Sequence, residues 1–592
     1  MNRPATSAGS AYDPALPRAK TLLTWPLAWR PELRTLACGG LLLAVGFVVL
    51  YPLALLIVNS FRLDDPNGAA VYGLQAWRQA FTQTSIRVAI GNTLGLTALQ
   101  VAISSVLAVG AAWIIARTDV FMRRWLEFGF WLAYFLPVLP VVLAWILLLD
   151  PQFGLINSGL VALLHRPEGP FNIYSWWGIV WAHLMTYSIA VKVMLLVPVF
   201  RNMDGSLEEA AAMAGAGRFT TSLRILLPLM TPVVLIVLLM SVIRGFEAFE
   251  IELILGLPAH IDVYSTQIFR LVHQNPAQYG SATAMGVMIL AIMLPFVVAQ
   301  RWATKRRGFA TVSGRYRPGI VRLGAWRWPA FAGIAGLLTL MTVVPMVFLL
   351  MGTFMRLFGF FTLDNPWTLK HWTAVLSDPL FVDSLRNTLL IGLGTAALSV
   401  ALFSTTAYVI VRVRFFGVAA LDFLSWLPFT LPGILLSLGY LWMFLGVPLF
   451  RPLYGSHAVL ILALSLSGMT LGVQLSKATL VQLGAELEEA SRMSGGSWLT
   501  TFRRVVAPLM APVLLTVAIL SFVQTSRNIS SLVLLATSTT RPLSLLQLDY
   551  MTQGQYEAGG VAGMVVVLIT VAIALIARRL GLSLGAGQGQ RP

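Results

Sequence analysis

A glutamate followed by small residues and a glycine occurs twice in this sequence, and the pattern is suited to binding another protein. A carboxylate forms charge-assisted hydrogen bonds with basic side chains across an interface. Alanine favours helix and adds little bulk, and glycine ends a helix with a sharp turn. We therefore predict a short helix at each site that a partner can approach closely. The predicted binding residues are Glu209, Ala210, Ala211 and Gly215 in the first copy and Glu489, Ala490 and Gly495 in the second.

Other kinds of site chemistry have little support in the sequence. The six histidines show no metal-ligand spacing, and the single cysteine, Cys38, excludes a disulfide framework and a thiolate metal cluster. There is no nucleophile–base arrangement and no Gly-x-x-x-x-Gly-Lys-Ser/Thr phosphate loop. We therefore predict that the chain is not an enzyme and binds no metal or cofactor itself. Any ATP and magnesium must then bind to a separate chain.

The composition places these motifs in a membrane protein. The chain has 592 residues, of which 57% are hydrophobic and only 11% are charged, whereas soluble domains carry about 25% charged residues. A helix crosses a hydrocarbon core of ~30 Å in about 20 residues, and the apolar stretches here reach that length. The formal charge of +17 fits basic cytoplasmic loops better than nucleic-acid binding. We therefore predict a multi-pass protein in a lipid bilayer, with no nucleic-acid partner.

The predicted spans divide into two halves. Six apolar stretches precede a basic segment and six follow it, which predicts an all-α protein with about 12 membrane helices. The predicted spans are 35–60, 88–116, 126–149, 175–200, 222–245 and 281–301, then 328–355, 384–411, 419–448, 455–478, 505–524 and 559–578. The predicted domains are an N-terminal tail (1–34), a first six-span domain (35–301), a basic linker (302–327), a second six-span domain (328–580) and a C-terminal tail (581–592), with the repeated loops at 204–221 and 484–501.

Residues outside the two loops also repeat in the same order, which predicts parallel repeats related by an axis along the membrane normal. The matched pairs are Asn92 with Asn387, Glu127 with Asp422, and Pro137 with Pro432. The prolines predict a bend at the same place in both third spans. The acids lie at helix starts, where the helix dipole favours them, so we predict a structural role.

The distribution of Lys and Arg predicts the orientation. These residues are concentrated in the segments on the same side as the N-terminus, including the linker. By the positive-inside rule that side is cytoplasmic. Both termini and both repeated loops are therefore predicted to be cytoplasmic. Lys192 lies inside the fourth span, and we expect its side chain to extend toward the cytoplasm.

The repeated loops resemble the signature of the permease subunits of binding-protein-dependent ABC importers, which is Glu-Ala-Ala, three residues, Gly, nine residues, Ile-x-Leu-Pro. The first copy fits it from Glu209 to Pro228, and the second departs at Ser491, Val505 and Ala507. The resemblance covers both halves and implies two permease domains of the type I ABC importer fold, fused in one chain. It also implies two copies of a separate ABC ATPase subunit, a periplasmic solute-binding protein and a place in the bacterial inner membrane.

Within that family the chain looks most like the ferric-iron type. The supporting stretches are 245–251 with 255–258, and 527–535 with 542–544. The resemblance implies ATP-driven import of ferric iron by alternating access, with the two loops acting as coupling helices. Thiamine and aminoethylphosphonate importers have related permeases and are the alternatives for the solute.

Three charged residues near the ends of the fifth and eleventh spans are candidates for the translocation path. Polar groups inside a membrane are costly and are usually functional. In the repeat, Glu247 falls on Arg527, and Glu250 falls on Ser530. We hypothesise that Glu247 and Arg527 face each other across the pseudo-twofold axis and form a gate, with Glu250 beside them. The alternative is that Glu247 and Arg527 lie at the outer membrane boundary, solvated or paired elsewhere.

Two other classes of membrane protein are alternatives. An ion-driven secondary transporter with two six-span halves is suggested by residues 117–124, which are similar to a loop of the major facilitator family. That stretch lacks the glycines of the family loop, and the corresponding segment of the second half is not similar. A channel or a passive scaffold gives no reason for two matched loops.

Overall fold

The computed structural model describes residues 31–62, 71–165, 168–201, 211, 213–215, 217–221, 224, 227–305 and 319–579. Within these residues the chain folds into helices and forms no β-strand beyond isolated bridges. Ten of the described helices are long and apolar enough to cross a membrane, and two bent helix pairs bring the number to 12. The predicted all-α class with two six-span halves is confirmed. The predicted domain bounds stay predictions.

The spans are numbered 1 to 12 in chain order. Spans 1 to 6 are Pro31–Asn59, Thr84–Arg117, the pair Arg123–Phe135 and Val138–Leu149, Trp176–Arg201, Leu227–Gly245 and Tyr279–Lys305. Spans 7 to 12 are Gly324–Thr353, Pro379–Arg412, the pair Val418–Thr430 and Gly433–Gly446, His457–Gln482, Phe502–Arg527 and Tyr556–Arg579. The shorter α-helices are Gln75–Thr82, Leu155–Leu164, Arg218–Thr221 and Tyr264–His273 in the first half, and Lys370–Ser377, Glu486–Met493, Trp498–Thr501 and Leu543–Thr552 in the second.

Spans 3 and 9 are broken at the matched prolines. The two helices of span 3 meet at 96° around Pro137, and those of span 9 meet at 111° around Pro432. Proline lacks the N–H that would continue the helix and pushes the residue before it toward extended backbone, and Leu136 and Leu431 are both extended. The predicted bend is confirmed, and it amounts to a full break midway along each span.

The two halves interlock through their first and third spans. Span 1 packs against span 9, and span 7 packs against span 3. The Tyr440 hydroxyl of span 9 donates a hydrogen bond of 3.0 Å to the Val48 carbonyl of span 1. Gly439 allows close approach of the two helices, because a Cβ there would lie 3.0 Å from the Cβ of Pro52. Since the first span of each half packs against the third span of the other, the halves form one packed body.

The repeated Asn-Thr dipeptide attaches the loop helices Tyr264–His273 and Leu543–Thr552 to the second span of each half. Asn92 Nδ2 donates to the Asp262 carbonyl at 2.8 Å, and the Thr93 hydroxyl accepts a 2.9 Å hydrogen bond from the Tyr264 backbone N–H. The equivalent contacts of the second half join Asn387 to the Thr539 carbonyl at 3.0 Å and Thr388 to the Leu543 N–H at 2.8 Å. The repeat of these residues therefore has a structural cause.

The matched acids at the starts of spans 3 and 9 each pair with a basic residue near the end of the next span. Glu127 accepts a 2.6 Å hydrogen bond from Arg201, and Asp422 pairs with Lys477. These two ion pairs fasten span 3 to span 4 and span 9 to span 10. The predicted structural role of the matched acids is confirmed.

Lys192 does not extend toward the cytoplasm as expected from the sequence. It is 4% exposed, and its Nζ donates to the Ser104 hydroxyl at 2.7 Å and to the Ser188 carbonyl at 3.1 Å. An ammonium group in an apolar interior must find acceptors within the protein. Lys192 finds them on span 2 and on its own span, and it thereby joins spans 2 and 4.

The described end of the basic linker is attached to the segment that follows span 2. The Val321 backbone N–H donates to the Arg117 carbonyl at 2.8 Å, and the Asp119 N–H donates to the Val321 carbonyl at 3.2 Å. The Asp119 carboxylate also accepts a 2.8 Å hydrogen bond from the Leu323 N–H. The segment just before span 7 is therefore held against the segment that follows span 2.

Candidate coupling and translocation sites

The second of the two repeated loops forms the short helix Glu486–Met493. Three glutamates occupy its first turn, where the helix dipole favours negative charge. Glu489 and Ala490 are exposed, and Met493 is 87% exposed. Gly495 follows the helix with φ +82°, the left-handed conformation in which glycine commonly ends helices. The predicted short helix and its terminating glycine are confirmed for this copy, and the role of the helix in coupling stays a prediction.

The first loop is described in part. Gly215 has φ +78°, which matches the conformation of Gly495 closely. Met213 is 91% exposed and Ala211 is buried. Glu209 and Ala210 lie outside the described residues. The two glycines turn the chain in the same left-handed way, so the repeated sequence encodes a repeated turn.

The end of span 5, close to the predicted translocation residue Glu247, packs against the middle of span 2. Gly245 ends span 5, and a Cβ on it would lie 2.4 Å from Thr97 Cγ2 and 3.1 Å from Gln100 Nε2. Thr97 and Gln100 are close to the middle of span 2, which runs from Thr84 to Arg117. Glu247 follows Gly245 by two residues. Glu247 therefore lies near the middle of span 2 along its helical length, and its position relative to the membrane boundary stays a prediction.

Two arginines reach across the interface between the halves and stack on aromatic rings at the breaks of spans 3 and 9. The Arg527 guanidinium carbon lies 4.6 Å from the centre of the Tyr134 ring, and Arg527 Nη1 also donates to the Tyr134 carbonyl. The Arg244 guanidinium carbon lies 5.0 Å from the centre of the Phe429 ring. Tyr134 and Phe429 are equivalent residues of the two halves, each just before its proline break. The contacts are therefore reciprocal, and cation–π attraction joins the halves at this level.

Glu247 is paired with Arg244 and not with Arg527. The Arg244–Glu247 ion pair measures 2.5 Å and joins residues three positions apart at the end of span 5. Arg527 is engaged by Tyr134, as described above. The hypothesised direct pair of Glu247 with Arg527 is thus wrong for this structure, because a basic residue on the same helix end is nearer to the carboxylate. The place of Glu247, Glu250 and Arg527 on a translocation path stays a prediction.

These charges lie near one tyrosine, Tyr187, that the sequence did not indicate. Glu250, Arg244, Glu247 and Arg527 act electrostatically on the hydroxyl group of Tyr187. Tyr187 follows Thr186, whose non-helical backbone (φ −92°, ψ −136°) kinks span 4. A kink without a proline depends on packing around the helix. No local pattern in span 4 would have identified this residue.

Glu250 marks the pseudo-twofold axis. Its carboxylate is close enough to the Ser530 backbone to be influenced by it, and Ser530 is the equivalent residue in the second half. Equivalent residues of two repeats can meet only close to the axis that relates the repeats. We therefore expect Glu250 to lie close to the axis.

Glu252 is a second buried carboxylate near this cluster, and it is paired with His183. Glu252 and His183 are 2% and 4% exposed, and their side chains are 2.7 Å apart. Within the described residues no three His, Cys, Asp or Glu side chains are grouped so that they could hold a metal ion. The cluster can present carboxylate, phenol and guanidinium groups to a passing solute.

Comparison with known protein families and sequences gives matches over most of the chain. Residues 104–308 and 397–583 match the family described as binding-protein-dependent transport system inner membrane component. A putative ferric transport system permease of Haemophilus influenzae is 28% identical over 85% of this chain and 78% of its own length. The ferric transport system permease of Actinobacillus pleuropneumoniae is 28% identical over 90% of this chain and 76% of its own. A solved bacterial ABC transporter for import of the acidic polysaccharide alginate aligns with 47% of this chain and 97% of its own, at 20% identity and a TM-score of 0.40.

The contact of Glu250 with Ser530 can be tested by cross-linking. In a Cys38→Ser background, which leaves the chain without cysteine, the pair Glu250→Cys and Ser530→Cys should be joined by a short bismaleimide. A protease site inserted in the 302–327 linker would separate the halves on a denaturing gel unless they are cross-linked. We expect the cleaved double variant to run as one band, and each single variant to run as two. Two bands from the double variant would contradict the position of the axis.

Proposed function

The chain belongs to the binding-protein-dependent transport system inner membrane components, and on that premise we propose that it is the permease subunit of an ATP-driven ferric-iron importer. The family matches twice in one chain, once in each half. The observation that carries the choice of solute is the 28% identity with two ferric permeases over 85% and 90% of this chain. Ferric iron would be delivered by a periplasmic binding protein and released into the cytoplasm by alternating access.

We place two copies of an ABC ATPase subunit on the two repeated loops. The support is the exposure of Glu489, Ala490 and Met493 and the matching left-handed turns at Gly215 and Gly495. An exposed carboxylate among small side chains lets a basic residue of the partner bind at close range. ATP and magnesium would bind to that partner. The chain would then lie in the bacterial inner membrane with both termini and both loops in the cytoplasm, as the positive-inside rule favours.

We assign the gate to the charged cluster at the breaks of spans 3 and 9. Each arginine holds the aromatic ring of the opposite half, so the halves cannot separate here without losing both contacts. A broken helix is well suited to this position, because backbone groups freed by the break can face a polar path. Carboxylate and phenol oxygens are hard ligands of the kind that ferric iron prefers. Glu247, Glu250 and Tyr187 would offer such oxygens to ferric iron as it passes through the gate.

Uptake by proteoliposomes tests the proposed function. Vesicles that contain this chain, its ATPase subunit and its binding protein should accumulate labelled ferric iron only with ATP inside the cytoplasmic compartment. Excess thiamine or aminoethylphosphonate should leave that uptake unchanged. We expect Glu489→Gln to lower ATPase binding and uptake by about tenfold or more, because a hydrogen bond to a charged group contributes about 1.5–3 kcal/mol. Glu486→Gln, also exposed on the same helix, is the matched control. ATPase binding and uptake by Glu489→Gln at the wild-type level would rule out the coupling role.

The gate can be tested without ATP. Phe429→Leu keeps an apolar side chain but removes a cation–π contact worth about 0.5–2 kcal/mol, so it should raise leakage of small cations from ATP-free vesicles. Tyr134→Leu should do the same, and the double variant should leak most. Phe423→Leu is the control, because Phe423 also lies on span 9 but is 47% exposed. Equal leakage in all four variants and the wild type would show that the stacked arginines do not close the path.

A further inference from the structure

The Glu486–Met493 helix is held to the spans by a glutamate that points away from the partner side. Glu488 is 6% exposed, whereas its neighbour Glu489 is exposed. Glu488 Oε1 accepts a 2.8 Å hydrogen bond from Arg412 Nε, and Oε2 accepts one of 3.0 Å from the Tyr408 hydroxyl. Successive helical residues are about 100° apart around the axis, so the two glutamates serve different faces of one short helix.

Arg412 joins the helix to two spans at once. It is the last residue of span 8, and its Nη2 donates to the Leu480 carbonyl at 2.8 Å and to the Gly484 carbonyl at 2.7 Å. Leu480 lies in the last turn of span 10, where carbonyl groups lack helical partners. A single guanidinium group therefore connects span 8, the end of span 10 and the Glu486–Met493 helix. We call the contacts among Tyr408, Arg412 and Glu488 the latch.

The latch lies in apolar surroundings. The cleft around it is lined by Leu480, Leu483, Leu487, Val505 and Val506, and the last two lie in the first turns of span 11. Low local polarity strengthens an ion pair that has good geometry and makes an unpaired charge costly. Loss of either partner should therefore release the helix, since the remaining charge would move toward water.

Glycines bound the helix at both ends. Gly484 has φ +66° and Gly495 has φ +82°, and neither would find a neighbour within 4 Å of an added Cβ. The backbone at these two glycines is therefore unpacked in the direction of a Cβ, which suits them to act as hinges. Without the latch, a force on the helix would turn it about the two glycines and leave the spans in place.

We propose that Glu488 and Arg412 are positioning residues that transmit movement of the Glu486–Met493 helix to spans 8 and 10. This inference rests on the proposed function for the origin of the force, which is the ATPase subunit bound at Glu489. Glu488 transmits the movement of the helix to the spans, and Glu489 binds the ATPase subunit. Arg117 occupies the position of Arg412 in the first half and is 1% exposed, while Glu208, the counterpart of Glu488, lies outside the described residues.

The test separates binding of the ATPase subunit from its coupling to transport. Glu488→Gln in the reconstituted complex should keep the ATPase subunit bound and hydrolysing ATP. Uptake per ATP should fall at least about fivefold, the lower end of coupling between sites. Arg412→Lys should behave similarly. The compact ammonium group of lysine cannot reproduce the hydrogen bonds that the planar guanidinium group donates to one carboxylate and two carbonyl groups. The double variant should be no worse than either single one if the residues act as a unit.

A second readout uses this chain alone in lipid nanodiscs. Hydrogen exchange of the 486–493 amides should be at least about tenfold faster in Glu488→Gln than in wild type, since a released helix opens locally. Glu486→Gln and Arg414→Ala, both at exposed positions, should leave exchange and uptake per ATP unchanged. These two controls match the latch variants in residue type.

Three results would overturn the latch. They are wild-type exchange rates in Glu488→Gln, wild-type uptake per ATP in that variant, and loss of ATPase binding equal to that of Glu489→Gln. A wild-type complex that hydrolyses ATP without moving iron would instead overturn the proposed function, and the exchange experiment would still decide the attachment of the helix.

Discussion

A buried charge in a membrane protein must find its partner inside the protein, and the described spans are joined where such partners meet. Lys192 joins span 4 to span 2, and Arg412 joins span 8 to span 10 and to the Glu486–Met493 helix. Arg244 and Arg527 join one half to the other at the span breaks. Each of these contacts links separate elements, so we expect a movement of one element to affect the element that it contacts.

The two halves share an architecture but differ in its chemistry. Between each loop helix and the segment before it there is an ion pair at equivalent positions, Asp262 with Arg270 in the first half and Arg541 with Asp549 in the second, at 2.7 and 2.8 Å. The acidic and the basic residue exchange positions between the halves, but both halves keep the ion pair. The attachment of the loop helix therefore matters more than which residue carries which charge. The buried His183–Glu252 pair has no such counterpart, because Ala463 and Leu532 occupy the corresponding positions. The two halves are therefore chemically asymmetric at this buried pair.

The sequence predicted features that depend on local residues. Proline breaks in spans 3 and 9, the turns at Gly215 and Gly495 and the number of spans all follow from short patterns. It did not identify the local ion pair of Arg244 with Glu247, and it could not predict features set by packing between spans, such as the kink in span 4 beside Tyr187. Glu488 was missed for a related reason. In the isolated sequence, two adjacent glutamates look alike, and only the neighbouring Arg412 decides which of them is buried.

We propose that movement of the two repeated loops opens and closes the gate at the span breaks. Met213 and Met493 are equivalent residues, 91% and 87% exposed, and they suit spin labels in a Cys38→Ser background. The most direct measurement is the distance between labels at Met213→Cys and Met493→Cys in the complex with its ATPase subunit. We predict that a non-hydrolysable ATP analogue shortens that distance. An unchanged distance in a complex that still imports iron with ATP would contradict the account.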